Sequence, residues 1–160
     1  MHINQTEIAV TFDVILVYLE FKKSAAEVAA DLFLQLRKMG AKIDSLNLMP
    51  LRRPAFGLSF AVESDDFAKV LKVASILKDK SDPMQLTVCG GYAKITIVSA
   101  QDALSGFFES LSSALPETVC LSATGTALSA LVPMADLDKM LSELEKAFPS
   151  AKTVYAGEDA

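Results

Sequence analysis

The residues able to do chemistry are few. Asp65 and Asp66 are adjacent carboxylates, a pairing that can serve acid–base work. They stand where a helix begins, however, and there they act as N-cap and as complement to the helix dipole. His2 is the sole histidine and lies at the terminus, a solvated end residue and no general base. Lys22-Lys23 and Arg52-Arg53 could attract an anion or a partner but read as solvated loop pairs. Gly90-Gly91 is followed by neither a third glycine nor a Gly-Lys-Ser/Thr run, so it marks a junction and not a phosphate loop. Nothing resembles a Ser-His-Asp, Cys-His or metal constellation. No catalytic residue is assigned, and no cofactor or metal is expected.

Composition narrows the setting in which these residues are held. Of 160 residues, 51% are hydrophobic, and the mean hydropathy is +0.34. No apolar run approaches the roughly 18–20 residues that cross a bilayer; residues 14–19 stop at Glu20. The N-terminal Met1-His2-Ile3-Asn4-Gln5 lacks the basic and apolar regions of a signal peptide. The excess apolar surface therefore belongs inside sheets and at a subunit interface, which implies a homodimer and no membrane. A net charge of −5 and a pI near 4.9 oppose sequence-independent nucleic-acid binding, which needs a cationic footprint. Cys89 and Cys120 are far apart in strand-like segments. They read as buried thiols in a reducing compartment, the cytoplasm, and not as a disulfide frame.

The chain also repeats itself. Ser64-Asp65-Asp66-Phe67-Ala68-Lys69-Val70-Leu71 is echoed by Met134-Ala135-Asp136-Leu137-Asp138-Lys139-Met140-Leu141. Upstream, Val14-Ile15-Leu16-Val17-Tyr18-Leu19 matches Ala93-Lys94-Ile95-Thr96-Ile97-Val98. A repeat of roughly 70–80 residues is too long for a solenoid unit and suits a small domain.

The elements follow from residue type and period. Residues 8–10 read as a short strand, 11–13 as a turn, and 14–21 as a strand rich in β-branched and aromatic residues. Ser24 and Glu27 form a capping box for a helix whose apolar face is Val28, Leu32, Phe33 and Leu36; Gly40 is its C-cap. Strands at 41–49 and 55–62 are joined by a turn holding Pro50 and Pro54. A helix at 64–80 turns Phe67, Val70, Leu71, Ala74 and Leu77 inward, and 85–89 closes the set. After Gly90-Gly91 the order restarts: strand 92–100, helix 104–114, hairpin strands 118–123 and 127–132, helix 134–148, strand 152–155, and a frayed acidic tail. Two β-α-β-β-α-β runs define an α+β protein of two ferredoxin-like units. Each has an antiparallel sheet with two helices on one face and the other face open.

Several segments resemble one family. Val28-Ala29-Ala30-Asp31-Leu32-Phe33-Leu34-Gln35-Leu36-Arg37-Lys38-Met39-Gly40-Ala41-Lys42-Ile43-Asp44 is similar to the first helix and second strand of an ACT domain in aspartokinases, which read G-V-A-A-x-[IM]-F-x-x-L-x-x-x-G-[IV]-N-[IV]. Ala93-Lys94-Ile95-Thr96-Ile97-Val98 resembles the family's A-K-[VI]-S-I-V-G. Leu121-Ser122-Ala123-Thr124-Gly125-Thr126-Ala127-Leu128-Ser129-Ala130-Leu131-Val132 resembles I-S-T-S-E-I-K-I-S-V-L-V, and Asp136-Leu137-Asp138-Lys139 resembles D-D-L-E-K. The likeness covers nearly the whole chain.

The resemblance implies a non-catalytic tandem-ACT regulatory region without the kinase domain. Its first unit, 14–89, would be inserted into a second made of 1–13 plus 90–157, so that residues 8–10 pair in the second unit's sheet. It also implies an amino-acid effector of the lysine or threonine class and a kinase subunit as partner. An opening methionine without a linker-like lead-in favours a stand-alone chain over part of a longer kinase. At the family's effector positions the chain departs from the pattern. The D-[RK]-P-G loop falls on Ser24, Ala25, Ala26 and Glu27, which places a carboxylate where a ligand carboxylate would sit. The family's Gln-Asn falls on Leu48 and Met49, which offer no side-chain hydrogen bond. In the second unit, Gln101, Asp102, Ser105 and Gly106 remain as the effector-binding candidates. The alternative is a degenerate ACT module, kept for dimerisation or partner binding. A small ferredoxin-like enzyme would need convergent polar groups in a pocket, and none is evident.

Overall fold

A computed structural model of the chain describes residues 6–22, 25–50, 55–80, 85–99, 103–114, 120–124 and 126–156. Its elements are β1 (Glu7–Phe21), α1 (Ala25–Lys38), β2 (Asp44–Pro50), β3 (Phe56–Glu63), α2 (Ser64–Lys80), β4 (Gln85–Val98), α3 (Leu104–Ala114), β5 (Cys120–Ala123), β6 (Ala127–Pro133), a 3-10 turn (Met134–Asp136), α4 (Leu137–Ala147) and β7 (Lys152–Tyr155). They fall into two compact units, a first of Val14–Gly90 and a second of Met1–Asp13 with Gly91–Ala160.

The first unit is β-α-β-β-α-β. Within it β1 pairs antiparallel with β3, Val17 opposite Phe60 and Leu19 opposite Leu58. β3 pairs antiparallel with β2, Leu48 opposite Leu58. Its core is built from alternate residues of the strands, Val17, Leu19, Phe21, Leu58, Phe60 and Val62, closed by Val28, Leu32 and Leu36 of α1 and Val70, Val73 and Leu77 of α2. The i, i+4, i+8 spacing of the α1 residues is why that helix forms one apolar stripe. Gly40 ends α1 as expected: it adopts φ +66°, and the Ala41 N–H donates to Leu36 O at 3.0 Å. Leu71, expected inward, is exposed, because Val70 and Val73 take the core positions of that turn.

The second unit places Ile8 and Val10 in its core with Ile95, Ile97, Phe107, Leu111, Met140 and Leu144. β4 pairs antiparallel with β6, and β6 with β5. The N-terminal part of β1 runs parallel to β7, Ile8 opposite Thr153 and Val10 opposite Tyr155. The exchange of the first strand into this unit is thus a matter of main-chain pairing, and the Ala156 N–H continues it by donating to Val10 O at 2.8 Å.

One strand contributes to two cores, its N-terminal part to the second unit and its C-terminal part to the first. Ile8 and Val10, at even positions, point into the second core. Val17, Leu19 and Phe21, at odd positions, point into the first. Between these two stretches Asp13 adopts φ +53°, which bends the strand at the boundary of the two units. The turn expected at 11–13 is therefore a kink inside one continuous strand. The junction expected at Gly90-Gly91 is likewise continuous within β4, with Gly91 at φ +82°. β2 begins at Asp44 and not at 41, and α4 is preceded by the 3-10 turn and ends at Ala147.

Candidate functional site

Two of the second unit's four candidates, Ser105 and Gly106, sit at the start of α3. Gln101 and Asp102 lie outside the described residues. Ser105 and Gly106 occupy the first turn of α3, Ser105 exposed and Gly106 half-buried. Gly106 has a packing duty. A Cβ there would stand 3.1 Å from Phe148 Cζ and 3.7 Å from Ala147 Cβ, so a methyl group would press on the Phe148 ring and anything larger would have to displace it. One turn on, the buried Ser110 hydroxyl donates to Gly106 O at 2.8 Å, with Glu143 O of α4 a second acceptor at 3.2 Å. The two helices are fixed to each other directly below the candidate residues.

At the first unit's corresponding positions, Ser24 is outside the described residues, Ala25 opens α1, and Ala26 and Glu27 stand exposed in its first turn. Leu48 lies on β2 with 47% of its surface exposed. Its register partner Leu58 points into the core, which puts Leu48 on the helix-bearing face of the sheet. Met49 follows it in the strand. Ala26, Glu27 and Leu48 bring one carboxylate and apolar surface to these positions.

The strongest electrostatic feature of the first unit is one that spacing alone only half announces. Asp66 is not a simple helix cap. Its residue is 9% exposed, and its carboxylate accepts the Lys42 N–H at 2.7 Å and pairs with Lys69 Nζ. Lys69 Nζ also reaches Gly40 O at 3.4 Å. The first turn of α2 is thereby clasped to the connection that follows α1. The Lys42 N–H, then the Lys69 hydrogen bond, hold the Asp66 carboxyl below its ordinary value against the opposing pull of burial. The i, i+3 spacing of Asp66 and Lys69 hinted at the ion pair; the Lys42 N–H carried no sequence signal. In the echoing segment, Asp136 precedes α4 and makes no side-chain cap hydrogen bond, so the repeated motif is used differently in the two units.

On the helix-free face of the second unit, Thr96 and Ser129 hydroxyls meet at 2.9 Å, with Ser122 next in register. Phe12 stacks on Tyr155, ring centroids 5.9 Å apart. Cys89 and Cys120 are not joined in a disulfide and are half-buried, where full burial was expected; burial pushes the Cys120 thiol up. Lys22 is exposed, while Lys23, Arg52 and Arg53 lie outside the described residues, as does His2. Among the described residues no group of three His, Cys, Asp or Glu could hold a metal, and no helix is long and apolar enough to cross a membrane.

No family model matches the sequence, and no curated protein does. Solved structures do match. The ligand-free regulatory subunit of aspartate kinase from Thermus thermophilus superposes with a TM-score of 0.79 at 16% identity, over 88% of this chain and 96% of that one. The corresponding subunit from Thermus flavus gives 0.76 at 17% identity, over 89% and 97%. Aspartate kinase from Synechocystis gives 0.83 at 18% identity, over 96% of this chain and 28% of that one. This chain has the fold of the aspartate kinase regulatory region.

Proposed function

We propose that the protein is a non-catalytic regulatory module of the aspartate kinase type, cytoplasmic and homodimeric, which acts on a kinase subunit by binding an amino acid. The observation that carries this is the near end-to-end likeness to the Thermus thermophilus regulatory subunit. The mechanism is linkage: an effector that binds one arrangement of the module more tightly shifts the population toward it.

The effector site belongs to the second unit, at Gln101, Asp102, Ser105 and Gly106. The first unit is unsuited to lysine or threonine. Glu27 in the first turn of α1 would repel a ligand carboxylate at a helix start that otherwise favours anions. Leu48 on the neighbouring β2 offers no polar partner, and unpaired ligand groups cost about 1–3 kcal/mol each. The same two residues favour a second reading, a module kept for dimerisation or partner binding after loss of the lysine/threonine site. A thermal-shift screen against the twenty amino acids separates the two. A ligand at about 100 times its dissociation constant adds about 2.7 kcal/mol to stability. A shift with one amino acid is expected; no shift with any supports the degenerate module.

A further inference from the structure

Among the described residues four adopt a positive φ. Two have local duties: Gly40 ends α1, and Ser45 sits where the ladder between β2 and β3 shifts. The other two, Asp13 at φ +53° and Gly91 at φ +82°, stand at the two places where the chain crosses between the units, from Asp13 to Val14 and from Gly90 to Gly91. Both crossings lie inside continuous strands, β1 and β4, which are neighbours in the strand order. The flanking ladders stop at the crossings. β1 pairs with β7 as far as Val10 and with β3 from Val14, while β4 pairs with β6 from Tyr92. Val10 and Val14 are buried, but Asp13, Gly90 and Gly91 are exposed. A Cβ added at Gly90 or Gly91 would meet nothing within 4 Å. Gly91 thus has no steric reason to be glycine; its backbone conformation is the reason.

We propose that Asp13 and Gly91 are the two pivots of a hinge, about which the units turn while each keeps its own core. A hinge is made of a few residues that absorb a change of φ and ψ between bodies that stay packed. These two residues meet that description: side-chain packing does not hold them, and the laddered, buried residues on either side are held by their own units. Two adjacent strands that bend at one level also restrict the motion more than a single flexible linker would. The hinge belongs to the ligand-free chain. It goes beyond the amino-acid reading and supplies the linkage proposed above with its moving joint.

Pulsed electron paramagnetic resonance tests this on the full chain without ligand, in a Cys89→Ser, Cys120→Ser background diluted with unlabelled protein. Lys72→Cys on α2 and Lys139→Cys on α4, both at exposed positions, place spin labels on different units. Lys38→Cys with Lys72→Cys, and Glu109→Cys with Lys139→Cys, report within each unit. The distance distribution between units should be wider than either distribution within a unit. Asp13→Gly should widen it further, since glycine opens conformations that aspartate disfavours. Gly91→Val should shift it, since a β-branched residue is an outlier at positive φ. Both within-unit distributions should stay unchanged, which also shows that the variants fold. A between-unit distribution as narrow as the controls and unmoved by Asp13→Gly overturns the hinge, whatever Gly91→Val does to stability. A wide distribution that neither variant alters places the motion elsewhere and overturns these residues as its pivots. Widening that appears equally within a unit overturns the inference as well, because the units then loosen instead of turning.

Discussion

Asp66 shows how much one residue can be asked to do. Its carboxylate joins the Lys42 N–H and Lys69 Nζ from a nearly buried position. Asp66→Ala leaves that N–H without its acceptor, a loss of about 1–3 kcal/mol that should appear as a lower urea midpoint at pH 7. The folded-state pKa is depressed, so the carboxylate contributes stability that is present above its unfolded value of about 3.9 and is lost as pH falls through the lower folded value. The gap between wild type and Asp66→Ala should therefore be full at pH 6 and close only below about pH 4. Gly106 tests a different balance. Alanine gains helix propensity of about 1 kcal/mol but sets a Cβ 3.1 Å from Phe148 Cζ, so Gly106→Ala should change stability little. Gly106→Val must displace the ring and should cost about 1–3 kcal/mol; equal thermal midpoints for glycine and valine would contradict the close helix approach.

At the scale of elements, β1 is the decisive strand, and its kink is open to test. Asp13 holds φ +53°, a conformation that costs an ordinary L-residue roughly 1–2 kcal/mol and glycine nothing. Asp13→Gly should match or exceed wild-type stability, and Asp13→Val should lower it by at least that amount; chemical denaturation ranks the three. Most elements could be read from period and punctuation. The α1 stripe of Val28, Leu32 and Leu36 with Gly40 behind it is found almost as expected, because apolar spacing and a left-handed terminator are local properties. The continuity of β1 and β4 was not legible. Thr11-Phe12-Asp13 and Gly90-Gly91 look like turns, and only the main chain, extended on both sides of each, reveals unbroken strands. The Asp66 clasp was half legible, since its lysine lies three residues away but its main-chain donor lies 24 residues earlier.

At the scale of the whole molecule, the first strand makes the second unit dependent on residues that precede the first. Ile8 is 1% exposed in the second core, and Ile8→Ala should cost about 2–5 kcal/mol. The loss should be local: hydrogen exchange should quicken in α4 and β7 while the α1 and β3 amides keep their protection. Uniform loss across both units would contradict the exchanged strand as the second unit's own support. The central claim, an amino-acid-responsive module whose effector sits in the second unit, is tested most directly by calorimetric titration of the full chain with lysine, threonine and any amino acid found in the thermal screen. The account predicts saturable binding of one amino acid that is abolished in Asp102→Ala and retained in Ser24→Trp. Micromolar lysine or threonine binding that survives Asp102→Ala and is lost in Ser24→Trp would contradict it.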